Sequence, residues 1–207
     1  MAAEDYTKSV FINCSFSEDF LPLFRAILFC ILECGFIPRC ALELIDSAEI
    51  RLQKIERIIS ECKYGVHDLS NMELDRKSKL PRFNMPLELG LFLGAKRFGT
   101  GAQKDKRALI MDRHPHRYMI SISDISGQDI ACHEFKVEAC MSRVRDWLKS
   151  VSRRKGIVSG DMITRHFRKY ETDLPIICQN LKLNPADLSY NDLVETMTEW
   201  LKANGDT

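Results

Sequence analysis

The sequence predicts an α/β protein with an open parallel sheet, helices on both faces, and a C-terminal helical appendage. Over about the first 112 residues, short apolar runs rich in β-forming residues alternate with longer helical patterns, in the order βαβαβαβ. That order is typical of parallel strands joined by helical crossovers. After Arg153 only helical patterns follow. We therefore expect an α/β domain over residues 1–152 and a helical appendage over residues 156–207.

The first elements are a buried strand, a helix and an edge strand. Residues 8–16 (KSVFINCSF) form an apolar run with strong β propensity that ends in polar residues. Ser17 and the two acidic residues after it favour the start of a helix. This helix should end at Gly35, since glycine suits the left-handed position after a helix. Residues 36–42 predict a second strand, and Pro38 indicates that it lies near an edge of the sheet.

The middle of the chain supplies two further strands. Residues 50–62 place isoleucines at helical spacing, with charged residues on the opposite face. Residues 64–69 (YGVHDL) predict the third strand, and a polar loop over residues 70–82 follows it. Beyond an apolar helix, residues 107–111 (RALIM) predict a fourth strand that ends in Asp112.

Later segments predict one more strand and several helices. Residues 118–122 are expected to form the fifth strand, and residues 130–151 a helix. Ser189 is expected to cap the last helix of the appendage. The appendage has three helical patterns, at residues 161–170, 174–181 and 190–202.

Composition excludes several classes of function. The chain has 30 basic and 29 acidic residues, so its formal charge of +1 gives no electrostatic case for a nucleic-acid partner. Its polar start lacks the apolar core of a secretory signal, and its most hydrophobic stretch, residues 20–38, contains two charges and is too interrupted to span a membrane. We therefore expect a cytoplasmic protein without a membrane partner.

Metal and disulfide chemistry are not indicated. The eight cysteines form no CxxC pair and no Cys/His cluster at zinc spacing. Free cysteines that pack as small hydrophobic side chains explain them better. We expect no metal and no resident cofactor.

Glu88 is the most informative residue of the chain. Between residues 85 and 95 (MPLELGLFLGA) it is the only charged or polar side chain, and a carboxylate in an apolar helix is costly unless it is paired, solvated or neutralised. Asn84 is expected to cap this helix and Pro86 to occupy its first turn, which places Glu88 about one turn from the N-terminus. Glu88 is then either a functional carboxylate or a structural one, which interacts with the helix dipole or pairs with an arginine such as Arg39 or Arg82.

Polar residues follow several predicted strands, and ligands of open parallel sheets bind at that edge. Each has a purely structural alternative, such as a turn or a surface ion pair. Together, two carboxylates, arginines, amides and hydroxyls suit a sugar or nucleotide better than an apolar ligand. The candidates besides Glu88 are Asn13, Ser15, Arg39, His67, Asp68, Arg82, Asn84 and Asp112.

The third-strand ending His67-Asp68-Leu69-Ser70, with Asn84 and then Glu88-Leu89-Gly90, resembles the nucleoside 2-deoxyribosyltransferase-like superfamily. The opening strand with Ser15 and Phe16 is also similar to that family and to the Toll/interleukin-1-receptor (TIR) fold. The resemblance covers roughly residues 8–125. It departs from the transferases at residues 85–87, where they carry an aromatic pair, and in the longer charged loop before them.

This resemblance implies a flavodoxin-like sheet and a glutamate nucleophile, Glu88, that attacks the anomeric carbon of NAD, a nucleoside or a nucleotide. It also implies a homo-oligomer and, through the NAD-cleaving TIR members, a role in bacterial defence. From the chemistry, Asp68 could fix ribose hydroxyls or orient water, an arginine could hold a phosphate, and His67 could protonate the base. The alternative is a non-catalytic TIR-like module that senses nucleotides or assembles with copies of itself.

Overall fold

The computed structural model describes residues 3–72 and 80–204. Five parallel strands form one open sheet in the order β2-β1-β3-β4-β5. This is the flavodoxin-like strand order, with a change of winding direction between β1 and β3, so the predicted fold class is confirmed. The strands are β1 Ser9–Asn13, β2 Ile37–Arg39, β3 Tyr64–Asp68, β4 Arg107–Asp112 and β5 Ala131–Cys132.

The described part of the chain contains seven α-helices. One face of the sheet packs against α2 and α5, and the other against α3 and α4. No helix within residues 3–72 and 80–204 is long and apolar enough to cross a membrane. The helices are α1 Ala3–Lys8, α2 Leu21–Glu33, α3 Arg51–Ser60, α4 Asn84–Phe98, α5 Val137–Ser152, α6 Gly160–Leu181 and α7 Tyr190–Asn204.

Two local predictions near α2 are confirmed. Gly35 has a φ of 76° and follows the helix. Its N–H donates to the carbonyl of Leu32, and the N–H of Phe36 donates to the carbonyl of Ile31, so the last carbonyls of α2 are satisfied. Strand β2 lies at the edge of the sheet, where Pro38 costs no essential ladder hydrogen bond.

The predicted fifth strand is wrong. Residues Arg117–Ile120 form a 3₁₀ turn after His116, whose φ of 62° directs the chain away from the sheet. The fifth strand is instead the two-residue β5, which pairs with the end of β4. A short β-rich run such as Tyr118-Met119-Ile120 has no fixed preference when two of its three side chains remain exposed.

The predicted cap of α4 is also wrong. The helix begins at Asn84 itself, and Phe83 occupies the capping position without a side-chain hydrogen bond. The reason is that the carbonyl of Phe83 already accepts the first helical bond, from the N–H of Leu87 at 2.9 Å. The expected position of Glu88, about one turn into the helix, is nevertheless correct.

The C-terminal helices pack on the α/β core. Phe29 of α2 contacts rings from α6 and α7 at centroid distances of 5.4 Å for Phe167 and 5.8 Å for Trp200. Ser189 caps α7 as predicted, because its hydroxyl accepts from the N–H of Asp192 at 3.2 Å. One continuous helix, α6, replaces the two shorter helices predicted on either side of residue 172, and it runs through Pro175.

Candidate functional site

The Glu88 carboxylate lies where α4 begins, at the edge of the sheet where the strands end. On this helix Met85 and Leu89 are buried whereas Leu87 is exposed, so Glu88 lies at the border between core and solvent. Burial raises the pKa of Glu88 to about 7, although the positive charge of Arg51 opposes that rise. Within residues 3–72 and 80–204, no hydrogen bond or ion pair joins this carboxylate to another side chain.

Asn13 fixes the position of α4 against the sheet. This last residue of β1 is buried, and its Nδ2 donates to the carbonyl of Met85 at 2.8 Å and to Nδ1 of His67 at 3.1 Å. The two bonds join β1, β3 and the first turn of α4. The amide therefore positions Glu88 indirectly, through the helix backbone.

His67 lies inside the core. Its ring packs edgewise on Phe11 and on Phe92, at centroid distances of 5.9 and 4.9 Å. Burial, reinforced by the charge of Lys106, lowers the pKa of His67 to about 3. Because Asn13 donates to Nδ1, the ring is the neutral tautomer with its proton on Nε2. We assign this ring a structural role between the sheet and α4.

Asp68 is held by a histidine that the sequence analysis did not identify. Nε2 of His133 donates to Asp68 Oδ2 at 2.8 Å and lies 3.1 Å from the hydroxyl of Ser70. The backbone N–H of Ser70 donates to the other carboxylate oxygen, Asp68 Oδ1, at 2.9 Å. The N–H of Phe135 donates to Nδ1 of His133 at 3.0 Å, which leaves the proton on Nε2. In a nucleophilic triad one ring nitrogen of the histidine faces the serine and the other faces the carboxylate. Here Ser70 and Asp68 both bond to Nε2 of His133, so this set is not such a triad.

A second polar network lines the ends of β1, β3 and β4. Arg113 donates to Asn71 at 3.0 Å, and Asn71 donates to the hydroxyl of Ser17 at 3.0 Å. Ser17 in turn accepts a hydrogen bond from Ser15 at 3.0 Å. Ser15 thus lies at the strand ends as expected, but its hydroxyl is engaged in a turn.

Asp112 is buried beside an arginine. Its Oδ1 accepts from Nε of Arg117 at 2.9 Å and from the N–H of Arg113 at 2.7 Å. Burial raises the pKa of Asp112, and the hydrogen bond and charge of Arg117 act against that rise. Sequence reasoning named Asp112 but neither arginine, although both follow within five residues of the strand end.

The predicted arginines have different environments. Arg39 donates to Glu43 at 2.7 and 2.6 Å and to Glu61 at 2.9 Å, so two carboxylates neutralise it and neither is Glu88. Arg82 is exposed in the loop before α4, as is Asn84 in the first turn of that helix. Arg51, which the sequence analysis did not single out, is the cation whose field reaches Glu88.

Phe16 lies at the rim of this edge. It is 37% exposed and packs edgewise on Phe24 with 5.2 Å between ring centroids. It therefore presents part of an aromatic face to solvent beside the end of β1, where a planar base could stack.

Comparisons with protein-family models, curated proteins and solved structures found no match to this chain.

The two hydrogen bonds of the Asn13 amide, to Met85 and His67, predict a measurable loss of stability when they are removed. Replacement of Asn13 with alanine leaves Nδ1 of His67 buried without a donor and removes the hydrogen bond from the sheet to the Met85 carbonyl. We expect the free energy of unfolding to fall by about 2 kcal/mol, measured by urea denaturation. The control is Ser17→Ala, at a half-buried hydroxyl that bonds to Ser15 and Asn71, which should change stability by less than about 1 kcal/mol. An equal loss of unfolding free energy in both variants would contradict this role of Asn13.

Proposed function

We propose that this protein cleaves an N-glycosidic bond of NAD or a related nucleotide, with Glu88 as the nucleophile. The observation that carries the proposal is the Glu88 carboxylate: it lies at the ligand-binding edge of a parallel sheet, it has no ion-pair partner among the described residues, and burial raises its pKa to about 7. A carboxylate kept unpaired at such an edge is available to react with a ligand.

The chemistry follows from that carboxylate. As the bond between C1′ and the base nitrogen breaks, its electron pair leaves with the base and positive charge develops on the sugar. A poorly solvated carboxylate stabilises that charge strongly and can form a covalent bond to C1′. Water or another hydroxyl acceptor then attacks C1′, and the carboxylate leaves with the bonding electrons. Exposed Arg51 and Arg82 flank this helix start and suit the phosphates of the substrate.

A pyridinium nucleotide such as NAD fits this site better than a purine or pyrimidine deoxynucleoside. The nicotinamide nitrogen is cationic in NAD, so the base leaves as a neutral molecule without protonation. A purine or pyrimidine needs an acid, and His67, the candidate from the sequence, is neutral, buried and has a pKa of about 3. A substrate whose base already carries a positive charge therefore suits this site, because it needs no acid to leave.

The first test is incubation of the pure protein with NAD, nucleosides and nucleoside monophosphates, with release of free base followed by chromatography. We expect nicotinamide release from NAD and much slower release from uncharged nucleosides. The same panel with Glu88→Gln separates turnover at this site from a contaminant. Absence of turnover across the panel, in the presence of NAD binding seen by calorimetry, would contradict the proposal.

The pH dependence of the reaction gives an independent prediction. The nucleophile must be ionised, and the pKa of Glu88 is raised from 4.5 to about 7 by burial. We expect kcat/KM to rise about tenfold per pH unit below pH 7 and to level off above it. Steady-state rates between pH 5 and 9 measure this. A plateau that already begins near pH 5 would show that Glu88 is ionised there and would contradict the role of burial.

A second candidate function is a non-catalytic module that binds a nucleotide and assembles with copies of itself. The observation in its favour is a set of apolar side chains, each more than half exposed, that are neighbours of Arg51 or Glu88 along the chain or in the loop before α4: Ile50, Phe83 and Leu87. Light scattering with and without NAD tests assembly, and calorimetry with linear and cyclic nucleotides tests binding. Tight binding without consumption, unchanged in Glu88→Gln, would favour this module over the enzyme.

A further inference from the structure

Strand β4 has an edge that is open along most of its length. It pairs with β3 over Arg107–Met111, but its other neighbour, β5, begins only opposite Met111. Within the described ranges 3–72 and 80–204, no strand lies opposite residues 107–109 on that side. Unpaired strand edges are templates for an additional strand.

The direction of the open backbone groups follows from the ladder. The N–H of Arg107 donates to the carbonyl of Lys63, the residue just before β3. The carbonyl of Met111 accepts from the N–H of Leu69, the residue just after β3. Arg107 and Met111 therefore direct these groups toward β3. In a parallel ladder alternate residues face opposite neighbours, so Ala108 directs both its N–H and its C=O away from β3. Ala108 is half-buried, so these two groups lie in the floor of a depression instead of on a convex surface.

That depression is a groove of about 910 Å³ along the open edge. Its walls come from two sides of the sheet. Leu109 and Trp147 line one, and Ala108 and Tyr118 line the other. Since successive side chains of a strand point to opposite faces, an added strand would place one side chain against Trp147 and the next against Tyr118. Arg143 places a cation in the groove beside Cys132, since its Nε donates to the carbonyl of Cys132 at 3.3 Å, and Asp129 of the same lining leaves the groove with charges of both signs near β5.

We propose that the open edge of β4 binds a short extended peptide as an additional strand of the sheet. The unpaired backbone groups of Ala108 select an extended main chain, the two walls accept β-branched side chains that alternate between the faces, and Arg143 favours an acidic residue near it. The groove lies beyond β4, on the side away from β1 and β3 and from the Asn13–Glu88 site, so the proposal is independent of the N-glycosidase activity.

The test uses the full chain and two matched peptides. The probe is acetyl-Glu-Val-Thr-Val-Thr-Val-amide, and the control is the same peptide with all six residues N-methylated, which keeps the side chains and removes their main-chain N–H donors. At about 1 mM probe we expect hydrogen exchange of the Ala108 amide, followed by NMR, to slow at least about tenfold, with a shift of the Trp147 indole signal. The N-methylated peptide should produce neither effect.

The variant Ala108→Pro removes the open N–H and leaves the bonds to β3 in place, because Ala108 does not face β3. Proline is tolerated at a strand edge, and the folded variant should lose probe binding. Unchanged exchange at Ala108 in the wild-type protein, equal effects of both peptides, or full binding by folded Ala108→Pro would each overturn the proposal. The exchange measurement decides the question even if the variant does not fold.

Discussion

Replacement of Glu88 with glutamine should abolish turnover while the protein stays folded. Glutamine keeps the shape of the side chain but cannot form the covalent bond to C1′ or stabilise the positive sugar. We expect kcat for release of nicotinamide from NAD to fall by about three orders of magnitude or more, with little change in the affinity for NAD. Steady-state kinetics and calorimetry with NAD measure the two quantities.

The matched control is Glu56→Gln, which removes the same charge from an exposed position on α3. It should retain full activity. A Glu88→Gln protein that keeps its kcat would end the catalytic assignment. Glu88→Asp is informative as well, because it retains the charge but withdraws it by one methylene; it should recover part of kcat only if the carboxylate contacts the sugar.

The same variant has an expected effect on stability, with a defined sign. The pKa of Glu88 is raised from 4.5 to about 7 in the folded protein, so folding favours the protonated form and the ionised form opposes it. Wild type should therefore lose stability relative to Glu88→Gln as pH rises from about 4.5 to 7, with no further change above pH 7. After allowance for partial solvation, we expect Glu88→Gln to be more stable by about 2 kcal/mol at pH 8 and equal at pH 4.

Urea denaturation at both pH values separates this result from a structural role. If Glu88 were half of a buried ion pair, glutamine would leave an arginine without its partner and cost about 3 kcal/mol or more. The sequence analysis named Arg39 as one such partner, but Arg39 forms ion pairs with Glu43 and Glu61. A variant destabilised at pH 8 would therefore point to Arg51 or Arg82.

Local signals in the sequence were sufficient for most of the fold. Gly35 ends α2 because its positive φ suits glycine, and Pro38 places β2 at the edge; both depend only on the residue itself. Residues 64–66 of β3 and residues 108–111 of β4 form apolar runs without polar alternation, which marks central parallel strands. The position of Glu88 followed for the same reason, since a single carboxylate in an apolar helix is visible without any knowledge of tertiary contacts.

The remainder depended on contacts between distant residues. His133 lies 65 residues from Asp68 along the chain, and no spacing rule links the two. The two-residue β5 is too short to leave a β signature, so the apolar run of residues 118–122 was the stronger candidate and was wrong. Arg51 has the sequence context of an ordinary solvent-exposed helical arginine. Only the packing of α3 against α4 brings its charge close to Glu88.

A chain truncated after residue 155 should fail to fold. Helix α2 is buried on every side over residues 26–31, because the sheet and α5 cover part of it and α6 and α7 cover the rest. Truncation exposes Phe29 and removes the buried rings of Phe167, Tyr170 and Trp200. Large aromatic side chains contribute about 3–5 kcal/mol each when buried, and total stability is only about 5–15 kcal/mol. We expect aggregation on expression, or a soluble product without a cooperative thermal transition.

Point variants of the full chain distinguish loss of this interface from a general effect of truncation. Phe167→Ala should lower the free energy of unfolding by about 3 kcal/mol because it opens a cavity against Phe29. Ile176→Ala, at an exposed position on the same helix, should change it by less than about 0.5 kcal/mol. A soluble, monomeric product of residues 1–155 with the Tm of the full chain would show that α6 and α7 do not stabilise the α/β core. These helices would then form an independent recognition element, and the aromatic contacts to Phe29 would contribute little net free energy.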